Sequence, residues 1–506
     1  METQSIVISK LYIVAEYFLT AFKNSVVYRI LARIVKWAKW IFGSCVLLKI
    51  IVREGRLEGF WKQSRSCRFF DSVLQNAIAL IRRLYDKREN VFGGSILYKL
   101  FIYFADNLHV LLSLAFFIML ITPHSLWYNI FTLMIAFGLL VIILLKTAAD
   151  KNKILDFKFI GFYIAIYIIS IILAQVFSMF PLLSLRFFIF HLNCFILVLL
   201  LVDSLNTKEK YATVVESLLA GLAIVGLYAI VQRIRGVPVD PSQTDLTVNV
   251  GMPGRVYSTM ENPNNLGQVL IMILPFYVAV ALGSSSFIKK FIITGMFLPP
   301  LAALALTYSR SSWIGFAAAA FVFVLLINWR YVPLFVFAGF AMVPFLPTTV
   351  YNRILTIWNP QDSSVNYRFL IYRTIWPVLE KYWVTGTGLG SDVFMDIVRN
   401  YPLYTRVIPP HTHNLYIQVW IEMGLVGLLS FAGFMGYIIK KGVNMARAQT
   451  DKYMKYGIIA GVSSLAGILV VGIGEYVWYY PRVMVIFWII TGLLLASLNL
   501  TEDAKG

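Results

Sequence analysis

Two histidines separated by a single residue, His411 and His413, stand directly before a long apolar stretch that begins at Leu415. Neutral imidazole is the usual side chain for removing a hydroxyl proton near neutral pH. The pair therefore predicts a general base, with His413 as the first candidate and His411 as the second. A helix cap or an interfacial polar pair is the alternative interpretation. A metal site is disfavoured because no cluster of Cys, Asp or Glu nearby completes the ligand set, and the sequence predicts neither a metal nor another cofactor.

A carboxylate, Glu422, lies two turns into the same apolar stretch. An ionisable side chain inside a membrane helix is costly and needs a partner or a function. We expect an arginine from an outer loop to be that partner. Glu422 thus joins the two histidines as a candidate catalytic residue.

Arginine, rather than lysine, is the main basic residue of the segments that are predicted below to face outward. Its planar guanidinium binds phosphate through two parallel hydrogen bonds, so a phosphate-bearing substrate on the outer face would explain the bias. The candidate phosphate ligands are Arg255, Arg310, Arg368 and Arg373. The alternative is that these arginines pair with acids of the same segments, such as Glu475.

Several short motifs follow one another along the second half of the chain. They are Gly254-Arg255; Glu261-Asn262-Pro263-Asn264-Asn265; Thr307-Tyr308-Ser309-Arg310-Ser311; Arg368 followed by Gly386-Thr387-Gly388-Leu389-Gly390; and His413-Asn414 followed after nine residues by Gly424-x-x-Gly427. In this combination the chain resembles the O-antigen ligase family and its relatives among polysaccharide polymerases, over about residues 210–480. The first 95 residues have no counterpart in a typical member.

The resemblance implies a membrane glycosyltransferase with a GT-C-like fold that uses neither a nucleotide sugar nor a metal. The implied donor is a glycan on undecaprenyl diphosphate, and the implied acceptor is a sugar hydroxyl on a glycan or a lipid. Displacement assisted by a base would invert the anomeric carbon. Asn264 and Asn414 join the arginines as substrate-binding candidates. A polymerase with the same chemistry, a transporter or flippase for lipid-linked sugars, and a non-catalytic scaffold for polysaccharide assembly are the alternatives.

The chain that must position these residues is 506 residues long, with 59% hydrophobic and 14% charged residues. Soluble globular domains carry roughly 25% charged residues, so this chain has too little polar surface for water and requires lipid around it. Soluble enzymes, coiled coils and disordered proteins are thereby excluded. The three cysteines are far apart and indicate neither a disulfide framework nor a zinc site.

Long apolar runs predict an all-α polytopic membrane protein with about twelve spans, because about 20 helical residues cross the hydrocarbon. The predicted spans are 106–122, 126–145, 159–180, 185–202, 212–231, 265–283, 291–308, 312–328, 331–347, 414–439, 456–474 and 482–499. The largest segment between spans, 348–413, lies between the ninth and the tenth and is predicted to face outward. Loops of this size usually carry function.

Lysines concentrate in alternate loops, among them the loops that contain Lys146, Lys208, Lys289 and Lys440. The positive-inside rule assigns these loops to the cytoplasm. An even number of spans then puts both termini in the cytoplasm. The sequence thus predicts a multi-pass protein of a bacterial cytoplasmic membrane, with its candidate site on the outer face.

Residues 1–95 form a separate predicted region before the membrane domain, residues 96–506. Residues 1–99 hold 17 Lys and Arg against 7 Asp and Glu, a net charge of +10. Basic residues interleaved with aromatic ones, without a run of span length, predict amphipathic helices on the cytoplasmic face that bind anionic lipids. Polysaccharide assembly proteins are further expected partners. Nucleic acid is not, because the overall charge of +19 accompanies a membrane composition.

Overall fold

The structure is a computed structural model and describes residues 56–87, 95–150, 160–240, 251–356 and 363–503, together with scattered residues between 16 and 36. Those ranges contain helices, turns and loops and no strand, which confirms the predicted all-α class. The amphipathic helices predicted before residue 56 lie largely outside the described residues.

The helices are numbered here in chain order. They are α1 (Arg56–Gln63), α2 (Arg65–Asp86), α3 (Ile96–Asp106), α4 (Leu108–Ile121), α5 (Asn129–Ala149), α6 (Phe162–Val176), α7 (Pro181–Ser204), α8 (Lys208–Arg235), α9 (Pro263–Gly283), α10 (Phe287–Leu306), α11 (Arg310–Asn328), α12 (Val332–Met342), α13 (Thr348–Leu355), α14 (Ser363–Tyr382), α15 (Ser391–Val398), α16 (Leu415–Ala448), α17 (Lys452–Val471) and α18 (Pro481–Asp503). Helix α9 begins where the sequence supplies both a cap and a proline. The side chain of Asn262 accepts a hydrogen bond from the amide of Asn265, and Pro263 occupies a first-turn position that needs no amide donor.

Nine helices of the described ranges are long and apolar enough to cross a membrane, or ten if the bent pair Tyr98–Asp106 and Leu108–Ile121 is one span. Each of the twelve predicted spans has a helix at its position. Three of them do not meet the criterion for crossing as separate helices. The first, Leu108–Ile121, meets it only together with the helix before it. The third, Phe162–Val176, has 15 residues, and the ninth is continuous with the eighth in one apolar run, Arg310–Phe345. The polytopic architecture is confirmed, with fewer full-length spans than twelve.

The run Arg310–Phe345 folds back on itself. A straight helix of its 36 residues would be about 54 Å long. However, Nη1 of Arg310 donates to the carbonyl of Thr356 at 2.8 Å. The reversal begins at Asn328, whose extended backbone (φ −164°, ψ 113°) interrupts the helix. The run therefore consists of two arms, α11 and α12, and segment 348–413 begins on the same side of the bundle as Arg310.

Three helices, α9, α17 and α18, form the buried centre of the bundle. They pack against one another, and most of their apolar side chains are buried. Helix α10, by contrast, exposes large apolar residues such as Phe287 and Phe291, as a lipid-facing helix does. The first turn of α9 and the loop between α17 and α18 belong to this densely packed centre, and both carry residues of the candidate site.

Helices α1 and α2 lie against the ends of α5 and α6. Nη2 of Arg82 donates to the carbonyl of Thr147 at 3.0 Å, and Nε1 of Trp61 donates to the carbonyl of Ile160 at 3.2 Å. The exposed apolar residues of α2 include Phe69, Val73 and Leu80. An interfacial helix would bury such a face in the headgroup region of the membrane. The assignment of residues 1–95 to the cytoplasmic membrane surface nevertheless stays a prediction.

Candidate active site

A cavity of about 640 Å³ opens among the ends of these helices. Its walls come from the first turn of α9 and the segment before it, the turn between α10 and α11, helices α13 and α14, the histidine loop before α16, and the loop between α17 and α18. Six predicted site residues line it: Arg255, Asn264, Arg310, Arg368, His411 and His413. The structure therefore brings together residues from all five of the sequence motifs.

The two histidines have different environments. His413 lines the cavity with its side chain 25% exposed, whereas His411 is 7% exposed and its ring centre lies 4.4 Å from that of Tyr479. Nδ1 of His411 accepts a hydrogen bond from the backbone amide of His413 at 3.1 Å. That bond leaves the proton of the neutral His411 ring on Nε2. Burial, followed by the charge of His413, lowers the pKa of His411 well below 6.5.

These contacts separate the roles of the two rings. His411 is a neutral support whose acceptor nitrogen is already occupied, and His413 presents its ring to the cavity. The backbone of His413 has a φ of 51°, and that of Tyr308, beside Arg310, has a φ of 50°. The left-handed region costs a non-glycine residue about 1–2 kcal/mol, and such strain concentrates at functional sites.

A buried carboxylate, Glu475, lies between His413 and Arg368. Its Oε2 is 3.5 Å from Nδ1 of His413, which is longer than an ordinary hydrogen bond of roughly 2.7–3.2 Å. Its Oε1 accepts a hydrogen bond from Nη2 of Arg368 at 2.8 Å. Burial alone would raise the pKa of Glu475, but the charge of Arg368 and the two histidines lower it to about 2. Glu475 is therefore an anion that connects the exposed imidazole to a cavity arginine.

Three further arginines converge on the turn between α10 and α11. Nε of Arg255 donates to the carbonyl of Thr307 at 2.8 Å, and Nε of Arg353 donates to the carbonyl of Tyr308 at 3.4 Å. Arg310 belongs to the same turn. Because Arg255 and Arg353 donate to the carbonyls of consecutive residues, their side chains meet at this turn.

The charge of this arginine cluster is only partly balanced. Burial, followed by the charge of Arg353, lowers the pKa of Arg255 to about 9, so the guanidinium still carries its proton at neutral pH. Its Nη2 donates to Oδ1 of Asn264 at 2.6 Å, which orients the guanidinium plane. Among the described residues of the cavity wall, four arginines face two carboxylates, Glu261 and Glu475. A bound anion would reduce the repulsion between the arginines.

Two predicted substrate-binding residues do not line the cavity. Asn414 caps α16, because its Oδ1 accepts hydrogen bonds from two amides of the first turn. Its Nδ2 donates to the carbonyl of Ile473 at 2.8 Å. The guanidinium of Arg373 lies 4.1 Å from the ring centre of Tyr404. Both residues thus hold loops of the site in place.

Glu422 also lies outside the cavity wall, and the prediction that it pairs with an arginine was wrong. Its Oε1 accepts hydrogen bonds from Nε2 of Gln418 at 2.9 Å and from the hydroxyl of Tyr476 at 3.3 Å. Gln418 in turn accepts a hydrogen bond from the amide of Thr412 at 2.9 Å. Glu422 therefore supports the histidine loop from inside the bundle, and the carboxylate that pairs with an arginine is Glu475 instead.

The glycines of the last two motifs hold a kink in α16. Gly424 has a φ of 67° inside this helix, and the amide of Thr387 donates to the carbonyl of Ile421 at 2.8 Å. A Cβ on Gly424 would lie 1.9 Å from the carbonyl oxygen of Val384, and a Cβ on Gly386 would lie 2.5 Å from the amide nitrogen of Gly424. Neither position has room for a side chain, so the two glycines keep α16 and the segment after α14 in contact.

Sequence reasoning did not single out two of the most informative residues. Arg353 lies in the predicted outward segment 348–413 but belongs to none of the motifs, and the sequence indicates Glu475 only as a partner for an arginine. The tyrosines of the cavity wall, Tyr367, Tyr476, Tyr479 and Tyr480, carried no signal of their own. The excess of outward arginines was the signal that could have identified Arg353.

The arrangement combines two capacities on one cavity wall. The guanidiniums offer bidentate hydrogen bonds to a polyanion such as a diphosphate. His413, beside an ionised carboxylate, can take a proton from a hydroxyl group held in front of it.

Comparison with known proteins finds one similar family and one similar relative. Residues 295–432 match the protein family described as O-antigen ligase, a narrower range than the motifs cover. That segment contains both cavity histidines and three of the four cavity arginines. An O-antigen ligase of Salmonella typhimurium strain LT2 is 30% identical over 84 residues, which are 16% of this chain and 21% of that protein. The match spans about a fifth of the length of this curated relative. Over this segment the chain is therefore similar to O-antigen ligases.

Proposed function

We propose that the chain transfers a glycan from undecaprenyl diphosphate to a sugar hydroxyl on the outer face of the cytoplasmic membrane, with both of its termini in the cytoplasm. The observation that carries the proposal is the cavity in which His413 and Glu475 face a cluster of arginines. The family match supports a ligase. A polysaccharide polymerase would use the same chemistry with another acceptor. Anionic lipids and polysaccharide assembly proteins are the further partners proposed.

In the proposed reaction, the acceptor hydroxyl attacks the anomeric carbon of the donor sugar. The hydroxyl proton passes to Nε2 of His413, and the bond between the anomeric carbon and the diphosphate oxygen breaks. Its electron pair leaves with the diphosphate, so the anomeric carbon is inverted. Glu475, 3.5 Å from Nδ1 of His413, favours the tautomer with the proton on Nδ1 and so leaves Nε2 able to accept.

The arginines supply the second requirement of this reaction. Negative charge develops on the diphosphate as it leaves, and fixed positive groups in a partly water-excluded site stabilise it. Arg255, Arg310, Arg353 and Arg368 line the cavity and would carry this role. Because these side chains supply the positive charge, the proposed reaction is independent of divalent metal.

The test uses the purified full chain in proteoliposomes, with the lipid-diphosphate glycan of the source organism, its acceptor and a metal chelator. We expect transfer of the glycan together with release of undecaprenyl diphosphate. His413→Ala should lower the transfer rate by about 10²–10⁴-fold, the usual contribution of a general base. The matched control is Arg399→Gln, since Arg399 is exposed and pairs with Asp396.

Two outcomes would contradict the proposal. One is a wild-type protein that leaves the donor unconsumed although it is folded and the acceptor is present. The other is near wild-type transfer by His413→Ala, which would remove the base from the mechanism.

A further inference from the structure

The glycine of the Gly254-Arg255 motif marks a second pocket beside the main cavity. A Cβ at Gly254 would lie 1.9 Å from the carbonyl oxygen of Val237, so a glycine is required for the segment after α8 to lie against the segment before α9. Side chains of these segments line a pocket of about 280 Å³. Arg255 and Glu261 belong to the walls of both spaces, so the side pocket and the main cavity meet at these two residues.

Hydrogen bonds hold the wall of this side pocket in place. Oε1 of Gln232, near the end of α8, accepts hydrogen bonds from the amides of Tyr257 and Ser258 at 3.2 and 2.7 Å. The hydroxyl of Ser258 donates to the carbonyl of Val225 at 2.7 Å. The pocket is therefore preformed, as small-molecule sites usually are.

The chemistry of the side pocket differs from that of the main cavity. Its lining includes Asp240, Glu261, His124, Tyr257 and Pro238 in addition to Arg255. Carboxylates accept hydrogen bonds and repel phosphate, and a neutral imidazole can accept one hydrogen bond as well. The ring faces of Tyr257 and Pro238 offer flat apolar contact to the C–H groups of a pyranose. This combination suits a neutral molecule that is rich in hydroxyl groups.

We propose that the side pocket binds a sugar ring of a glycan substrate, through hydrogen bonds from its hydroxyl groups to Asp240 and Glu261 and through packing on Tyr257. The inference rests on the proposed transferase function. Because Arg255 borders both spaces, one extended substrate can place its diphosphate in the main cavity and a sugar in the side pocket. The acceptor glycan has the same hydroxyl chemistry, and the experiment distinguishes the two sources.

The test compares Asp240→Asn and Glu261→Gln with the wild type in nanodiscs. Three ligands are measured: undecaprenyl diphosphate without a glycan, the lipid-diphosphate glycan of the source organism, and the acceptor glycan. In each variant we expect the dissociation constant of one glycan ligand to rise about tenfold, the usual effect of one hydrogen bond to a charged group. The dissociation constant of undecaprenyl diphosphate should not rise in either variant, and in Glu261→Gln it should fall, because Glu261 also lines the cavity of the arginines. A rise for the donor alone assigns the pocket to the donor, and a rise for the acceptor alone assigns it to the acceptor.

The matched control is Glu380→Gln, which removes an exposed acid of α14 that lies outside both walls. Unchanged affinity for both glycans, in variants that bind undecaprenyl diphosphate normally, overturns the inference. A tenfold loss of affinity for undecaprenyl diphosphate itself also overturns it, because the pocket would then serve the diphosphate. If the glycans bind as expected but the wild type transfers nothing, the proposed function fails and the sugar site stands.

Discussion

Replacing Glu475 with glutamine tests the link between the exposed imidazole and the arginines. The side chain is 9% exposed, with Oε1 at 2.8 Å from Nη2 of Arg368 and Oε2 at 3.5 Å from Nδ1 of His413. Glutamine keeps the size of the side chain but removes its charge. We therefore expect two separate losses, one in the stability of the folded chain and one in turnover.

The loss of stability follows from the pKa of Glu475. The folded pKa of about 2 lies below the ordinary value of 4.5, so the ionised carboxylate stabilises the folded state above pH 4.5. This stabilisation decreases as the pH falls from about 4.5 toward 2. A difference of about 2.5 pKa units corresponds to about 3 kcal/mol at neutral pH. This free energy agrees with the roughly 3–5 kcal/mol that breaking a buried ion pair usually costs. The glutamine variant should lack this contribution at every pH.

The loss of turnover follows from the orientation of His413. Without the carboxylate the proton is no longer held on Nδ1, and we expect kcat for glycan transfer to fall on the order of 10²-fold, at the lower limit of a general-base contribution. The KM for the donor should change less. Glu475→Asp should restore part of kcat, and Glu380→Gln is the matched control.

The assays are the unfolding free energy in mixed micelles and initial transfer rates in proteoliposomes. A destabilised variant with wild-type kcat would limit Glu475 to a structural role. A variant that is unchanged in both measurements would refute the reasoning altogether.

Two further substitutions test other parts of the site. Gly424→Ala should destabilise the chain by at least about 1–2 kcal/mol because of its positive φ, and by more because the new Cβ would lie 1.9 Å from a carbonyl oxygen. The unfolding free energy is compared with that of Gly295→Ala, where nothing lies within 4 Å of the new Cβ, and equal effects of the two substitutions would contradict the role of Gly424 in the kink. Arg353→Gln should raise the KM for the donor about 10–150-fold, as expected for loss of a charge-assisted hydrogen bond of about 1.5–3 kcal/mol. Arg399→Gln should leave the KM unchanged, because Arg399 is exposed and pairs with Asp396 outside the cavity wall; steady-state kinetics check both, and the reverse ranking would refute the assignment.

The gathering of the motifs at one end of the bundle could be predicted from the sequence, and six predicted site residues do meet in one cavity; that this end faces outward stays a prediction. The alternation of predicted spans is enough to assign the loops that carry these residues to the same side of the membrane. The sequence also indicates that only one of Arg368 and Arg373 can face the cavity. Five residues along a helix correspond to a rotation of about 140°, so both residues of α14 cannot face the same cavity.

Other parts of the site depend on packing that a single sequence does not encode locally. Glu422 and Glu475 are both acids beside apolar stretches, and only the fold shows that Arg368 reaches the loop between α17 and α18. Arg353 reaches the cavity because the chain reverses at Asn328 and returns. The break between the eighth and ninth predicted spans indicated such a reversal, but not which arginine the returning chain brings to the cavity.

The position of the cavity relates the fold to the proposed donor, an amphipathic molecule with a charged head and a long prenyl chain. The wall that carries His413 and Glu475 is joined to the buried centre of the bundle, where the cap at Asn414 donates to the carbonyl of Ile473. The opposite wall belongs to α11, whose residue Ile314 lines the cavity and is nonetheless 43% exposed. A site between a densely packed centre and a lipid-facing helix can keep its catalytic groups fixed while the prenyl chain remains in the bilayer. The proposed base and phosphate ligands accordingly come from different parts of the chain: His413 from the loop before α16, and Arg310, Arg353 and Arg368 from α11, α13 and α14.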